Sequence, residues 1–289
     1  MQELGALIPY VCTINEANIP TLIRYMNAAE MLRAGSDAQA PVGVDAAPPD
    51  NPRFNVGWLS TSAAEMNTTP EKLQPFLFAA SAEGQACVME AHVRAVETIK
   101  AIRSETQTGI TLALQDIQVL PGGEGPAERA RYELFESYLP ALTGDDFLGV
   151  QNYSRIRVGP EGILPAEPGI PLTQMGYEFY PEALEGTLRQ AAAAGKPMIV
   201  TENGLGSEDD GERITFIRRA LAGLLRGLKD GLDVRGYMYW SAMDNFEWML
   251  GYVPKFGLIT VDRATQERGV KESARYLGGI ARRNALSDL

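Results

Sequence analysis

The chain has 289 residues, and 45% of them are hydrophobic, which is enough to bury the core of one large domain or two ordinary ones. Its 26 basic and 37 acidic side chains give a formal net charge of −11, which disfavours nucleic acid and anionic membranes as partners. The two cysteines show no metal-ligand spacing, so we predict neither a metal nor a cofactor.

The N-terminal residues do not have the pattern of a signal peptide. They carry no basic side chain, and the apolar stretch Leu4–Val11 is interrupted by Gly5 and Pro9. No stretch of the sequence stays apolar over the length of a membrane span. A cytoplasmic protein without membrane contact is therefore the default prediction.

Five segments have the short, nearly continuous apolar pattern of parallel strands that are buried on both faces. In chain order they are Ile8–Thr13, Ile110–Leu114, Phe147–Val150, Pro197–Thr201 and Val234–Trp240. Helical patterns lie between and after them, at Pro70–Arg103, Asp209–Lys229 and Lys271–Asn284. Alternating strands and helices predict an α/β fold with a parallel sheet.

Two stretches rich in proline, glycine and small residues are predicted loops. Residues 34–67 form a long surface loop after the first strand, with one short helix or strand near Phe54–Leu59. Pro160–Pro171 is the second loop. The sequence contains no internal repeat, and we treat residues 1–289 as a single portion of one domain.

Carboxylates follow two of the predicted strands, in Thr-Ile-Asn-Glu at residues 13–16 and Val-Thr-Glu-Asn-Gly at residues 200–204. Catalytic side chains of barrel enzymes lie at the C-terminal ends of parallel strands, and retaining glycoside hydrolysis needs two carboxyl groups about 5–5.5 Å apart. Taken singly, Thr-Ile-Asn-Glu is more typical of a solvated loop, whereas Val-Thr-Glu-Asn-Gly fits a loop and a functional site about equally. Their joint occurrence favours a pair that acts together.

A third motif, Trp-Ser-Ala-Met-Asp-Asn-Phe-Glu-Trp at residues 240–248, follows the last predicted strand. Two tryptophans enclose acidic and amide side chains that an apolar core would not accept unpaired, so the segment is interpreted as a sugar-binding wall. The three motifs in this order resemble the retaining β-glycosidases of glycoside hydrolase family 1. In that family the Thr-x-Asn-Glu strand is the fourth, so the resemblance implies a partial (β/α)8 TIM barrel that corresponds to strands 4–8.

The resemblance also implies roles for individual residues. Glu202 would be the nucleophile and Glu16 the acid/base, while Asn15 would hold the sugar 2-hydroxyl group. Tyr153 ends the pattern Asp-Phe-Leu-Gly-Val-Gln-Asn-Tyr at residues 146–153 and would donate a hydrogen bond to the nucleophile.

The remaining residues that the resemblance implies would surround the sugar. Glu247 would bind its hydroxyl groups, Trp240 and Trp248 would stack on it or close its pocket, and Phe256 would lie beyond its primary hydroxyl. Phosphosugar-specific members lack the glutamate at the position of Glu247, so an unphosphorylated β-glucoside or β-galactoside is the expected substrate.

The sequence departs from the family pattern at several positions. Gln151 and Asn152 replace an Asn-Tyr pair, which changes the polar contacts expected near the aglycone, and Ala17 replaces a proline. His92 is the only histidine and falls in a predicted helix, so the chain has no counterpart of the family's sugar-binding His-Trp pair.

Two functions therefore remain open. The first is a retaining β-glycosidase, and the second is a catalytically silent remnant that binds sugar or associates with partners. A partial barrel would leave its first and last strands as open edges, which promote self-association. We expect little hydrolysis by this chain alone, and a truncated gene and a biological adaptation explain the sequence equally well.

Overall fold

The computed structural model describes residues 1–33, 57–69, 72–73 and 75–286. In chain order, the strands are β1 (Tyr10–Cys12), β2 (Gln107–Ala113), β3 (Asp116–Val119), β4 (Phe147–Gln151), β5 (Arg155–Gly159), β6 (Gly162–Ile163), β7 (Met198–Glu202), β8 (Val234–Tyr237), β9 (Ile259–Val261) and β10 (Arg268–Val270). The helices are α1 (Ile19–Arg33), α2 (Gly57–Glu65), α3 (Ala82–Ile102), α4 (Glu124–Leu134), α5 (Ala183–Ala191), α6 (Asp210–Lys229) and α7 (Glu272–Arg283).

A five-stranded parallel sheet with the order β1-β2-β4-β7-β8 is the centre of the fold. Helices lie between these strands in the sequence, which confirms the predicted α/β fold with five of the strands of a TIM barrel. A three-stranded sheet (β3-β5-β6) and a two-stranded sheet (β9-β10) lie outside this array.

Two of the three inner strands of the sheet, β2 and β4, are buried on both faces. All five residues of β4 are buried, and so are six of the seven residues of β2. Leu148 and Val150 of β4 are fully buried, as are Ile110 and Leu112 of β2, and all four belong to the main hydrophobic core. Continuous apolar strands are expected where helices cover a parallel sheet, and this burial fixes the plane from which the site residues extend.

The strand predictions are confirmed in place and shifted at their ends. The first strand is shorter than predicted, because only Tyr10–Cys12 pairs with β2. The last strand ends at Tyr237, although Met238 N still donates to Val200 O and Trp240 N to Asn203 O. These extra backbone bonds carry the chain from the sheet into the site without regular strand geometry.

The helix predictions differ more. The helix predicted over Pro70–Arg103 begins only at Ala82, because Pro75 is extended and Ser81 caps the helix by accepting from Gly84 N. Helix α6 matches its prediction, with Asp209 accepting from the first-turn amides.

Three helices, α1, α4 and α5, were not predicted. Of the predicted loop over residues 34–67, residues 34–56 lie outside the described residues, and the helix α2 occupies Gly57–Glu65. In the described part of the chain, no helix has the length and apolar character needed to cross a membrane.

Candidate active site

Three strands of the central sheet deliver the three predicted motifs at their C-terminal ends, and β4 leads into Tyr153. β1 leads into Asn15 and Glu16, β7 ends with Glu202, and β8 leads into Trp240. Because the strands are parallel, these ends meet at one edge of the sheet. The structure therefore brings together the three sequence motifs that were identified separately.

The first carboxylate is held by its backbone. Glu16 has a positive φ of 48°, which is uncommon for a residue with a side chain, and its amide donates to Thr111 Oγ1 at 2.9 Å. The next amide, that of Ala17, donates to Thr111 O at 3.0 Å. Strand β2 thus fixes the turn that carries Glu16 beyond the end of β1.

The second carboxylate receives two side-chain hydrogen bonds. Tyr153 Oη donates to Glu202 Oε2 at 2.6 Å, and Gln151 Nε2 donates to Glu202 Oε1 at 2.8 Å. The tyrosine contact is the one that the family resemblance implies. Hydrogen bonds to a carboxylate favour its ionised form, so both donors stabilise negative charge on Glu202.

The pKa values of the two glutamates differ. Burial, followed by the charges of Glu202 and Glu247, raises the pKa of Glu16 to about 8. Burial also raises the pKa of Glu202, but the hydrogen bond from Tyr153 opposes it, and the charge of Glu247 adds to the rise, so the value is about 6. At neutral pH, Glu16 is therefore mainly protonated and Glu202 mainly ionised.

The segment after β8 forms a polar wall around Glu247. Trp240 Nε1 donates to Glu247 Oε1 at 3.1 Å, and Asn245 Nδ2 donates to the same oxygen at 2.6 Å. Among the described residues, no donor contacts the other carboxylate oxygen, Oε2. Trp248 lies next to Glu247 with 74% of its surface exposed. Glu247 can therefore accept hydroxyl groups beside a free aromatic face.

Phe256 occupies a different environment from the other predicted sugar contacts. Its side chain is only 2% exposed and packs edge-on against the Tyr153 ring, with 6.0 Å between ring centroids. It supports the tyrosine that contacts Glu202. Its contact with a sugar stays a prediction.

Two residues near the carboxylates were not identified from the sequence as site residues. Gln151 departs from the family pattern, and in the structure it contacts both Glu202 and Asn15. Tyr177 packs against Tyr153 at 6.2 Å, and burial and the charges of Glu247 and Glu16 raise its pKa well above the usual value. Tyr177 belongs to an irregular segment, where no strand-end pattern marks it.

The single histidine is fully buried behind the site. His92 Nδ1 lies 2.6 Å from Thr13 Oγ1, and its Nε2 atom lies 3.1 Å from Asp145 Oδ1. It thereby joins α3 to the chain just before Asn15. Within the described ranges, no cluster of three or more histidine, cysteine or acidic side chains could hold a metal ion.

Comparisons with known proteins give one consistent family. The sequence profile of Glycosyl hydrolase family 1 matches residues 150–286. A 1,4-beta-D-glucan glucohydrolase from Thermotoga neapolitana is 33% identical over 181 residues, covering 54% of this chain and 41% of the relative. A beta-galactosidase from Sulfolobus acidocaldarius is 30% identical over 236 residues, covering 70% of this chain and 48% of the relative.

Solved structures agree with these relatives. The crystal structure of the beta-glycosidase BGL167 superposes with a TM-score of 0.82 at 45% sequence identity, covering 99% of this chain and 65% of that one. The chain thus spans less than half the length of the two curated relatives and about two thirds of this structure.

Proposed function

The chain belongs to glycosyl hydrolase family 1 and carries part of that family's TIM barrel, and we propose that it is the catalytic portion of a retaining β-glycosidase. The observation that carries the proposal is the pair Glu202 and Glu16, which lie at one edge of one sheet with pKa values of about 6 and about 8. An ionised and a protonated carboxyl group at neutral pH are the two states that the first chemical step requires.

In that step, Glu202 attacks the anomeric carbon while Glu16 donates its proton to the leaving oxygen. The glycosidic bond breaks, and a covalent glycosyl ester forms on Glu202. The Tyr153 hydroxyl and the Gln151 amide keep Glu202 ionised until the bond forms. Tyr177 and Phe256 pack around Tyr153 and hold its ring in place.

The second step follows from the same electrostatics. Once Glu202 is esterified, its negative charge is gone, and with it one of the causes that raise the pKa of Glu16. Glu16, now ionised, accepts a proton from water, and the water attacks the anomeric carbon and releases the sugar. One carboxyl group thereby serves first as acid and then as base.

The proposed substrate carries a neutral β-linked glucosyl or galactosyl unit. Glu247 would accept two of its hydroxyl groups through the oxygen that Trp240 and Asn245 leave free. A phosphate placed there would face a carboxylate, which disfavours 6-phosphorylated sugars. The names of the relatives, a glucan glucohydrolase and a beta-galactosidase, support the same class.

The test is hydrolysis of nitrophenyl β-glucoside and β-galactoside by a version of the chain that is completed with the three absent barrel strands, with Glu202→Gln as the control for contaminating enzymes. The purified chain alone is assayed in parallel and is expected to show little hydrolysis. An activated 2-fluoroglucoside should also leave a covalent sugar on Glu202, which mass spectrometry of peptides detects. Turnover confined to 6-phosphorylated glycosides would contradict the substrate class. Turnover that survives in Glu202→Gln, without any trapped sugar, would contradict the mechanism.

A second candidate function is binding or association without turnover. In the described part of the chain, β1 pairs only with β2 and β8 only with β7, and Tyr10 and Met238 are exposed at these edges. Unpaired strand edges recruit further strands, so self-association through β1 and β8 is proposed with it. This candidate predicts a molar mass that rises with concentration in light scattering and sugar binding without nitrophenol release.

A further inference from the structure

Gln151 lies at the place where the two halves of the site meet. It is the last residue of β4, and its side chain is almost completely buried. Its Nε2 group donates to Glu202 Oε1 and to Asn15 Oδ1, both at 2.8 Å. One amide therefore bridges the chain after β1 and the end of β7, across the strands between them.

A break in the strand register places Glu202 where it can accept the hydrogen bond from Gln151. Val150 pairs with Val200, but the next pair joins Gln151 to Glu202, so Thr201 is an extra residue on β7. Such a bulge re-aims the side chain that follows it. Residues paired across neighbouring strands extend from the same face of the sheet, and Glu202 is consequently placed beside Gln151.

The second hydrogen bond, from Gln151 to Asn15, requires a long side chain. Strand β2 separates β4 from β1, and the residue of β2 that pairs with Gln151 is Ala113, whose side chain is a single methyl group. The long glutamine side chain extends past this small neighbour to Asn15. An asparagine at position 151 is one methylene shorter, so we expect it to reach at most one of the two partners from the same backbone.

The orientation of the amide also follows from its contacts. Both partners of Nε2 are oxygen acceptors, so the reversed amide would place Oε1 against two oxygens. Among the described residues, Gln151 Oε1 has no hydrogen-bond partner although it is buried. Leaving a buried acceptor unpaired lowers the stability of the fold. In Gln151 this cost accompanies an orientation that directs both N–H groups of Nε2 to partners in the site.

The hydrogen bond from Gln151 determines which atom of the Asn15 amide is available to a ligand. Asn15 Oδ1 accepts from Gln151 and, at 3.4 Å, from Thr111 Oγ1. Its oxygen is thereby occupied inside the protein, and its exposed side chain keeps the Nδ2 group as a donor for a ligand hydroxyl.

We propose that Gln151 is a positioning residue that couples the amide of Asn15 to the carboxylate of Glu202, and so fixes the sugar 2-hydroxyl relative to the nucleophile. The roles of Asn15 and Glu202 in this statement rest on the proposed function. The bridge itself rests on the two hydrogen bonds, the bulge at Thr201 and the small side chain of Ala113.

The decisive experiment does not require turnover. In Gln151→Met, which keeps the length of the side chain and removes both donors, NMR titration of ¹³C-labelled glutamate should show the pKa of Glu202 raised by about one pH unit. The side-chain ¹⁵N resonances of Asn15 should move in the same variant. The matched control is Gln190→Met on α5, whose amide donates to Asp116 and lies outside the site, and it should leave both signals unchanged.

A Gln151→Met variant in which either signal stays unchanged would overturn the bridge. If that variant does not fold, Gln151→Asn serves instead, because we expect its shorter amide to lose at least one of the two partners. A folded Gln151→Asn variant with wild-type signals from both Glu202 and Asn15 would likewise overturn the proposal.

Activity then separates this inference from the function on which it rests. Where the chain turns over, Gln151→Met should slow hydrolysis of a β-glucoside about tenfold more than that of the matching 2-deoxyglucoside, because only the first uses the Asn15 contact. Equal slowing of both substrates would contradict the coupling to Asn15. Absence of trapped sugar on Glu202 in the unaltered chain would contradict the proposed function and leave the NMR result standing.

Discussion

The two candidate catalytic glutamates, Glu202 and Glu16, differ in how many strands and hydrogen bonds hold them. Glu202 ends a five-residue strand that has a neighbour on each side, and its carboxylate receives two donors. Glu16 follows a strand of three residues that pairs with β2 alone in the described part of the chain. In the proposed mechanism both groups need defined positions, so Glu16 depends more than Glu202 on its backbone contacts to β2.

The largest expected effect is that of a substitution at Glu202, which has the more extensive contacts. Glu202→Gln keeps the size of the side chain and removes the negative charge that forms the glycosyl ester. In the version completed with the absent barrel strands, we expect turnover of an aryl β-glucoside to fall at least about a thousandfold. Steady-state release of nitrophenol measures this loss, and a far-UV spectrum equal to that of the unaltered chain excludes unfolding. A fall of less than tenfold would remove Glu202 from the role of nucleophile.

A substitution at Glu16, which follows the edge strand β1, should slow hydrolysis by an amount that depends on the leaving group of the substrate. Glu16→Gln removes the proton donor, so hydrolysis of an alkyl β-glucoside should fall by about a hundredfold or more. A dinitrophenyl β-glucoside, whose leaving group needs no proton, should still form the glycosyl ester at close to its normal rate. Burst kinetics with both substrates make the comparison. Equal losses on both would show that Glu16 is not the acid.

Truncating an apolar side chain should destabilise the fold more in the central strand β4 than in the edge strand β1. Leu148 is fully buried in β4, and Leu148→Ala should lower the free energy of unfolding by about 3 kcal/mol. Val11 is only partly buried in β1, and Val11→Ala should cost less than about 1 kcal/mol. Urea unfolding followed by circular dichroism measures both values. Similar losses would mean that the edge strand is as firmly packed as the centre.

The smallest expected change concerns pH. With the pKa of Glu202 at about 6 and that of Glu16 at about 8, kcat/KM should be highest between these values and fall on both sides. Tyr153→Phe removes a donor to the ionised carboxylate, which raises the pKa of Glu202 and moves the acidic limb to higher pH by about one unit. The rate at the optimum should fall about tenfold. An unmoved acidic limb would assign that limb to another group.

Much of this architecture could be predicted from local sequence. The strands were found because strands buried on both faces are apolar throughout, and α6 was found because its apolar stripe and its Asp209 cap agree. The three site motifs follow strands, and parallel strands deliver their ends to one edge. Periodicity and strand order therefore locate the carboxylates without coordinates.

Other features depend on contacts that sequence does not display. Helix α4 was missed because Gly125 and Pro126 occupy its first turn, where they look like breakers. Gly186 in α5 is required by packing, since a Cβ atom there would collide with the carboxylate of Asp116. The bridge made by Gln151 needs a one-residue bulge in β7, and no local pattern marks that shift in register.

The short first strand also has a consequence for the order in which the site assembles. The amide of Glu16 bonds to Thr111, 95 residues later in the sequence, whereas Glu202 bonds to Gln151 across only 51 residues. Ribosomes add about 5–20 residues per second, so β1 leaves the ribosome roughly 5–20 s before its partner on β2. Throughout that interval the turn that presents Glu16 has no strand to hold it, and pairings of high sequence separation form late in folding. We expect Glu16, the proposed acid/base, to be synthesised well before the strand that holds its turn.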